Sequence, residues 1–163
     1  MLQESGAHGV KLEGGSHMAE TVRTLVERGI PVIGHLGLTP QSVHALGGYR
    51  VQGREEASAD RLLADARALE SAGACAIVLE LVPATVAGRI SKAITIPTIG
   101  IGAGPACDGQ VLVLHDMLGL NEQFAPKFLK HYAELGESVR AAVRTFASEV
   151  RDGKYPGKEH SFD

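Results

Sequence analysis

Four side chains stand where a mostly apolar segment runs out, and their types suit acid–base and cation chemistry. "GVKLEGG" (9–15) carries Lys11 and Glu13 two positions apart, "IGHLG" carries His35, and "IVLELV" carries Glu80. Residues two apart on a strand share a face, so Lys11 and Glu13 point the same way. Charges of this kind are seldom buried unless paired, so the pair marks either a solvated edge or a site. Glu80 interrupts an otherwise apolar run and is the candidate general base; the competing reading is a structural carboxylate satisfied by a nearby Lys or Arg. Glu13 is a hard oxygen donor with a cation beside it. A single carboxylate is a poor metal site by itself, but Mg²⁺ commonly takes one or two carboxylates and fills its shell with waters and substrate oxygens. His35 reads first as a satisfied core histidine and second as a further acid or base. His44, His115 and His160 form no ligand spacing with it, and neither a nucleophile elbow, a Walker A loop nor an HExxH motif occurs.

Elements that could hold these residues recur along the chain. Each begins with a glycine-rich or small turn, continues as a short β-branched run, and closes on a polar residue or glycines: 5–15, 28–37, 71–82, 94–104 and 109–118. In two of them a glycine precedes a glutamate by the same interval, Gly6 to Glu13 and Gly73 to Glu80, which indicates equivalent placement in two units. Helical patterns separate the runs. Ser16 is a candidate N-cap for a helix ending at Gly29, and Thr39 with Pro40 offers a second start. Leu62, Leu63, Ala66 and Leu69 form one stripe that stops at Gly73, and a further helix follows Pro83. A longer one near the C-terminus carries Val139, Ala142, Val143, Phe146 and Val150. Strands alternating with helices at this spacing argue for parallel βαβ units.

Composition narrows the function classes. The 163 residues are 44% hydrophobic and 21% charged, enough for one domain with a core, and the formal net charge of −3 comes without a basic block. Nucleic acid is therefore excluded as an expected partner. No apolar run approaches the roughly 18 to 20 residues of a membrane span, and the N-terminus lacks a signal pattern, so a cytoplasmic location is expected. Cys75 and Cys107 fit reduced structural thiols. The segment 47–57, "GGYRVQGREEA", is an extra loop after the second strand, either functional or a plain insertion.

Five βα units fit either an open doubly wound sheet or part of a barrel. The first would show a glycine fingerprint at its opening βα turn; "GIGAG" follows the fourth strand instead. A full barrel needs eight strands and about 250 residues. The expected fold is thus an α/β, incomplete TIM-type (β/α)8 barrel, with about five βα units plus C-terminal helices in a single domain spanning 1–163.

The segments "VKLEGG", "PVIGHLGLTPQSV", "GGYRVQGR", "VLELVP", "IPTIGIGAG", "DGQVLVLHDMLG" and "YPGKEHSF" resemble, in order, the ketopantoate hydroxymethyltransferase family. The resemblance runs from about residue 5 to the end and implies a chain that starts near the family's fourth strand, lacking the first three units. It also implies a reaction: 5,10-methylenetetrahydrofolate gives a one-carbon unit to 3-methyl-2-oxobutanoate, forming 2-dehydropantoate for pantothenate synthesis. By this resemblance Glu13 helps to hold Mg²⁺, Lys11 contacts the oxo acid, and Glu80 accepts the proton, in a homo-oligomer. Two metal-binding aspartates and a substrate-binding serine of the family belong to the first three units. Three alternatives accompany this expectation: an inactive remnant, one part of a split enzyme, or another Mg²⁺-dependent 2-oxo acid enzyme of the phosphoenolpyruvate mutase and isocitrate lyase type. The last would carry a reactive cysteine in an active-site loop, which neither Cys75 nor Cys107 matches.

Overall fold

The computed structural model describes residues 2–162. The chain divides into two compact units, one reaching Val111 and the other starting at Leu112. In the first, after a short helix α1 (Leu2–Ser5), the strands β1 (Val10–Glu13), β2 (Val32–Gly37), β3 (Ala76–Glu80), β4 (Thr98–Ile101) and β5 (Gly109–Gln110) form one sheet. Its order is β1-β2-β3-β4-β5 and every pairing is parallel. A doubly wound sheet reverses its strand order at a switch point. This one never reverses, so its strands follow one another as the staves of a barrel do. The fold is α/β, an incomplete TIM-type barrel.

The helices α2 (Ala19–Glu27), α3 (Glu56–Ser71) and α4 (Ala84–Ala93) pack on one face of the sheet. That face is built from alternate strand positions, Val32, Leu36, Ile77 and Leu79, which join Val22, Ala66, Leu69, Ala87 and Ile90 in the buried core. Each large side chain of this set contributes about 1.5–3 kcal/mol by leaving water. The period of two then sends Lys11, Glu13, Ile33, His35, Val78, Glu80, Ile99 and Ile101 to the opposite face, the interior side of a barrel. The charged residues share a face because the other face is already occupied by core.

The glycine stops expected at 29 and 73 are realised in the same way. Ile30 and Gly29 donate their backbone N–H groups to the carbonyls of Leu25 and Val26, and Ala74 and Gly73 donate to Leu69 and Glu70. Both are Schellman closures, with the glycine in left-handed backbone at φ 77° and 96°. Each sets the chain down at the start of the next strand.

Three local expectations are corrected. Ser16 does not cap a helix with its side chain: it opens a 3₁₀ turn (Ser16–Met18), and its own N–H is taken by the Asp65 carboxylate at 2.7 Å. Thr39 and Pro40 start only a 3₁₀ turn (Pro40–Ser42), and the buried Thr39 makes no side-chain cap. The last strand is shorter than "GQVLVLHDML" suggests. Pairing ends one bond beyond β5, from Val111 N–H to the Gly100 carbonyl, and Leu114–Met117 then coils into the short helix α5. That run satisfies strand alternation and helical spacing together, so periodicity alone could not decide it.

The second unit contains α5, the long helix α6 (Leu135–Arg151) and a terminal 3₁₀ turn (Lys158–His160). The expected apolar stripe of α6 is present, but Val139, Val143, Phe146 and Val150 are exposed. Arg140 pairs with Glu122 at 2.6 Å, and Phe146 meets Tyr155 edge-on with ring centroids 5.3 Å apart.

Candidate active site

Glu13 and Glu80 are each the last residue of a strand, β1 and β3, and His35 lies on β2 between them. Register brings the three together. Glu13 is the cross-strand partner of His35, while Glu80 partners Gly37, two residues further along β2. All three therefore project from one face at the C-terminal ends of their strands, where barrel enzymes place their chemistry. Lys11 is on the same face, one pleat earlier on β1, exposed and without an ion-pair partner among the described residues.

His35 is fully buried, with its Nε2 at 3.2 Å from Glu80 Oε2 and its Nδ1 at 3.6 Å from Glu13 Oε1. Neither nitrogen meets hydrogen-bond geometry. The reading of a satisfied core histidine is thus not what forms: the ring is buried, yet faces two carboxylates. Both carboxylates stay accessible, at 11% exposure for Glu13 and 19% for Glu80. No Lys or Arg pairs with Glu80 among the described residues, so the structural-carboxylate reading finds no partner.

Backbone groups fix the two glutamates. The N–H of Gln41, in the turn after β2, donates to Glu13 Oε2 at 2.9 Å. Gly37 closes β2 at φ 91°, and the N–H of Leu38 donates to the Glu80 carbonyl at 2.8 Å. A Cβ at position 37 would run into that carbonyl oxygen. Gly37→Ala in the complete enzyme is therefore expected to destabilise the fold by about 2 kcal/mol or more, from left-handed strain plus the clash. Denaturant unfolding measures it, and a loss below about 0.5 kcal/mol would mean that Glu80 is not seated through this contact.

Immediately after Glu80, Leu81 takes left-handed backbone at φ 48°, which costs a non-glycine residue about 1–2 kcal/mol. It is held from both sides: its N–H donates to the Ile101 carbonyl at 2.9 Å, and its carbonyl accepts from Gln52 N–H at 2.8 Å. Gln52 belongs to the segment 47–57, so this loop is tied to the residue following the candidate base. Strain of this kind, overdetermined by neighbours, concentrates at working sites.

Several polar residues that sequence reasoning passed over turn out to hold the frame. Asp108 accepts from the Thr98 backbone N–H and hydroxyl at 2.8 and 2.9 Å, and the same hydroxyl meets Ser91 at 2.7 Å. The Thr98 backbone bond, with its hydroxyl, holds the Asp108 carboxyl below its ordinary range. Thr98 begins β4, so this cluster braces the strands at the end away from Glu80. Glu70 braces the α4–β4 turn by accepting from Thr95 N–H and hydroxyl. Arg89 on α4 spans Glu56 and Asp60 on α3 at 2.8 and 2.6 Å. Only a pattern of complementary charges on facing helices could have signalled Arg89, and that requires knowing which helices face.

As metal ligands, the described residues offer no group of three or more His, Cys, Asp or Glu side chains arranged around one point. Cys75, which is exposed, and Cys107, which is half-buried, are free thiols. No helix among the described residues is long and apolar enough to cross a membrane.

Comparison with known proteins carries the same arrangement to a family. The family model for ketopantoate hydroxymethyltransferase matches residues 1–158. The 3-methyl-2-oxobutanoate hydroxymethyltransferase of Trichlorobacter lovleyi is 60% identical over 162 residues, taking in 99% of this chain and 60% of that protein. Those of Heliobacterium modesticaldum and Paracoccus denitrificans are 59% and 60% identical over the same length, each with 59% of the relative covered. The chain thus spans about 60% of the length of these relatives. With Glu13, His35, Glu80 and Lys11 on one face of a run of barrel strands and this family's model matched through residue 158, the chain belongs to the ketopantoate hydroxymethyltransferase family.

Proposed function

We propose that this chain carries the proton-transfer centre of a hydroxymethyl transfer from 5,10-methylenetetrahydrofolate to 3-methyl-2-oxobutanoate, giving 2-dehydropantoate for pantothenate synthesis. The observation that supports it most is the placement of Glu80: an accessible carboxylate at a strand end, without a Lys or Arg partner among the described residues, facing the same side as Lys11 and Glu13.

In this reading the oxo acid lies over the interior face of β1 to β3. Lys11 supplies positive charge for its anionic oxygens. Glu80 takes the proton from C3, and the electron pair left behind forms the new bond to the one-carbon unit as the first of that unit's two bonds to folate nitrogens breaks. Water then forms the hydroxyl C–O bond as the second breaks, and the two freed nitrogens take up the C3 proton and one proton of that water. The cation assigned to the site is Mg²⁺. The donor chemistry fits a partial contribution: Glu13 is a hard oxygen ligand, steadied at Oε2 by Gln41, and waters with the substrate's carboxylate and keto oxygens are ordinary partners for such an ion. When bound, Mg²⁺ stabilises negative charge developing on the keto oxygen. Glu13 is one ligand, and the others come from solvent, substrate or residues outside this chain. A cytoplasmic homo-oligomer acting on these small molecules completes the proposal.

Glu13 and Lys11 should separate in titration of the complete enzyme. Glu13→Ala is expected to weaken Mg²⁺ binding by about tenfold or more, and Lys11→Ala to raise KM for 3-methyl-2-oxobutanoate with metal binding unchanged. Calorimetric titration of metal and substrate against each variant reads both. Unchanged binding of both ligands in both variants would remove the shared-face assignment.

A further inference from the structure

A histidine enclosed at the centre of a sheet, with neither ring nitrogen hydrogen-bonded, is expensive: an unsatisfied buried polar group costs about 1–3 kcal/mol. Packing does not require it. Its neighbours on the same face are Ile33 along β2, Val78 across on β3 and Glu13 across on β1, so the packing on two of its sides would suit an aliphatic side chain. What distinguishes His35 is the direction of its nitrogens. Nε2 is 3.2 Å from Glu80 Oε2, within N–H···O range, whereas Nδ1 is 3.6 Å from Glu13 Oε1, beyond it. The ring is closer to coupling with Glu80 than with Glu13.

We propose that His35 is a positioning residue for Glu80, its Nε2–H holding Oε2 so that Oε1 is the oxygen presented to the substrate proton. The inference rests on the reading of Glu80 as proton acceptor and adds which group aims it. A neutral ring carrying its proton on Nε2 is sufficient, so no change in His35 charge is involved. The present misalignment is of a kind that closes in the substrate complex, where catalytic hydrogen bonds shorten and straighten.

Gln and Asn substitutions separate positioning from packing. A glutamine amide can place its nitrogen near the Nε2 position, and an asparagine amide only near Nδ1. In the complete enzyme, measured by kcat, KM for 3-methyl-2-oxobutanoate, C3 hydrogen–deuterium exchange and thermal unfolding, His35→Gln is expected to stay within about threefold of the parent. His35→Asn is expected to lose about 10- to 100-fold in both kcat and exchange rate with KM little changed. His35→Leu, which keeps volume and removes both nitrogens, should behave as His35→Asn and serves if that variant unfolds. In a Glu80→Gln background the Asn change should cost less than about threefold more, since the group it aims is already gone. Equal losses for Gln and Asn, or an Asn loss that multiplies in full onto Glu80→Gln, would overturn the proposal while leaving Glu80 as the base. Parent-level exchange in Glu80→Gln alone would overturn the base assignment, and the positioning role with it.

Discussion

Glu80→Gln in the complete enzyme is expected to lower kcat for 2-dehydropantoate formation by about 10² to 10⁴, the usual weight of a positioned general base. KM for the oxo acid should stay within a few fold. The amide preserves the shape and neighbours of the carboxylate, including the approach to His35 Nε2, and removes only the capacity to take a proton. The backbone anchors are untouched, because Leu38 and Leu81 are bonded through main-chain atoms. A fall in kcat without a rise in KM therefore reports a group used in the transition state rather than in binding. Steady-state assay of the purified variant decides it, and wild-type turnover would dismiss the role.

A polypeptide of these 163 residues alone is expected to show no measurable hydroxymethyl transfer and not to run as a sharp monomer. Among the described residues the sheet has two open edges: β1 pairs only with β2, and β5 only with β4. Open edges with free N–H and C=O groups template further pairing, and barrels escape this only by closing. The interior face adds half-exposed Ile33, Ile99 and Ile101, and Val111, Val113, Leu114, Val139, Val143 and Phe146 stand exposed elsewhere. On the chemical side, Glu13 belongs to no group of three or more potential metal ligands among the described residues, so Mg²⁺ should be held feebly. Size-exclusion chromatography beside an assay of 2-dehydropantoate tests both statements. A sharp monomer peak with robust Mg²⁺-dependent turnover would show that residues read here as structural supply the missing ligands, and would also argue against the inactive-remnant alternative.

Much of the site was legible because it is written in local pattern. The equal intervals from Gly6 to Glu13 and Gly73 to Glu80 mark two strands with carboxylates at their ends, and both glutamates do end strands. Alternation put Lys11 and Glu13 on one face, and the glycines at 29 and 73 stopped their helices as expected. What escaped depends on register and on backbone. The approach of His35 to Glu80 follows from pairing Gly37 with Glu80, which no single-strand pattern encodes. The group that steadies Glu13 is the Gln41 amide N–H, a donor every non-proline residue has, so its role lies in turn geometry and not in residue type. The short β5 escaped for a third reason: its apolar run suits strand and helix alike, and tertiary context chose. The stripe of α6 shows the converse, a pattern read correctly whose Val139, Val143, Phe146 and Val150 are nonetheless exposed.

Removal of the C3 proton of the oxo acid is the step assigned to Glu80. Proton nuclear magnetic resonance of 3-methyl-2-oxobutanoate in D₂O, with Mg²⁺ and without folate, follows that step by itself, because product formation is not required for the C3 signal to disappear. The parent enzyme is expected to exchange the C3 hydrogen, and Glu80→Gln to do so slower by about 10² or more with metal and oxo acid still bound. Exchange at the parent rate in a folded, ligand-binding Glu80→Gln enzyme would contradict the account, and the base would have to be sought elsewhere.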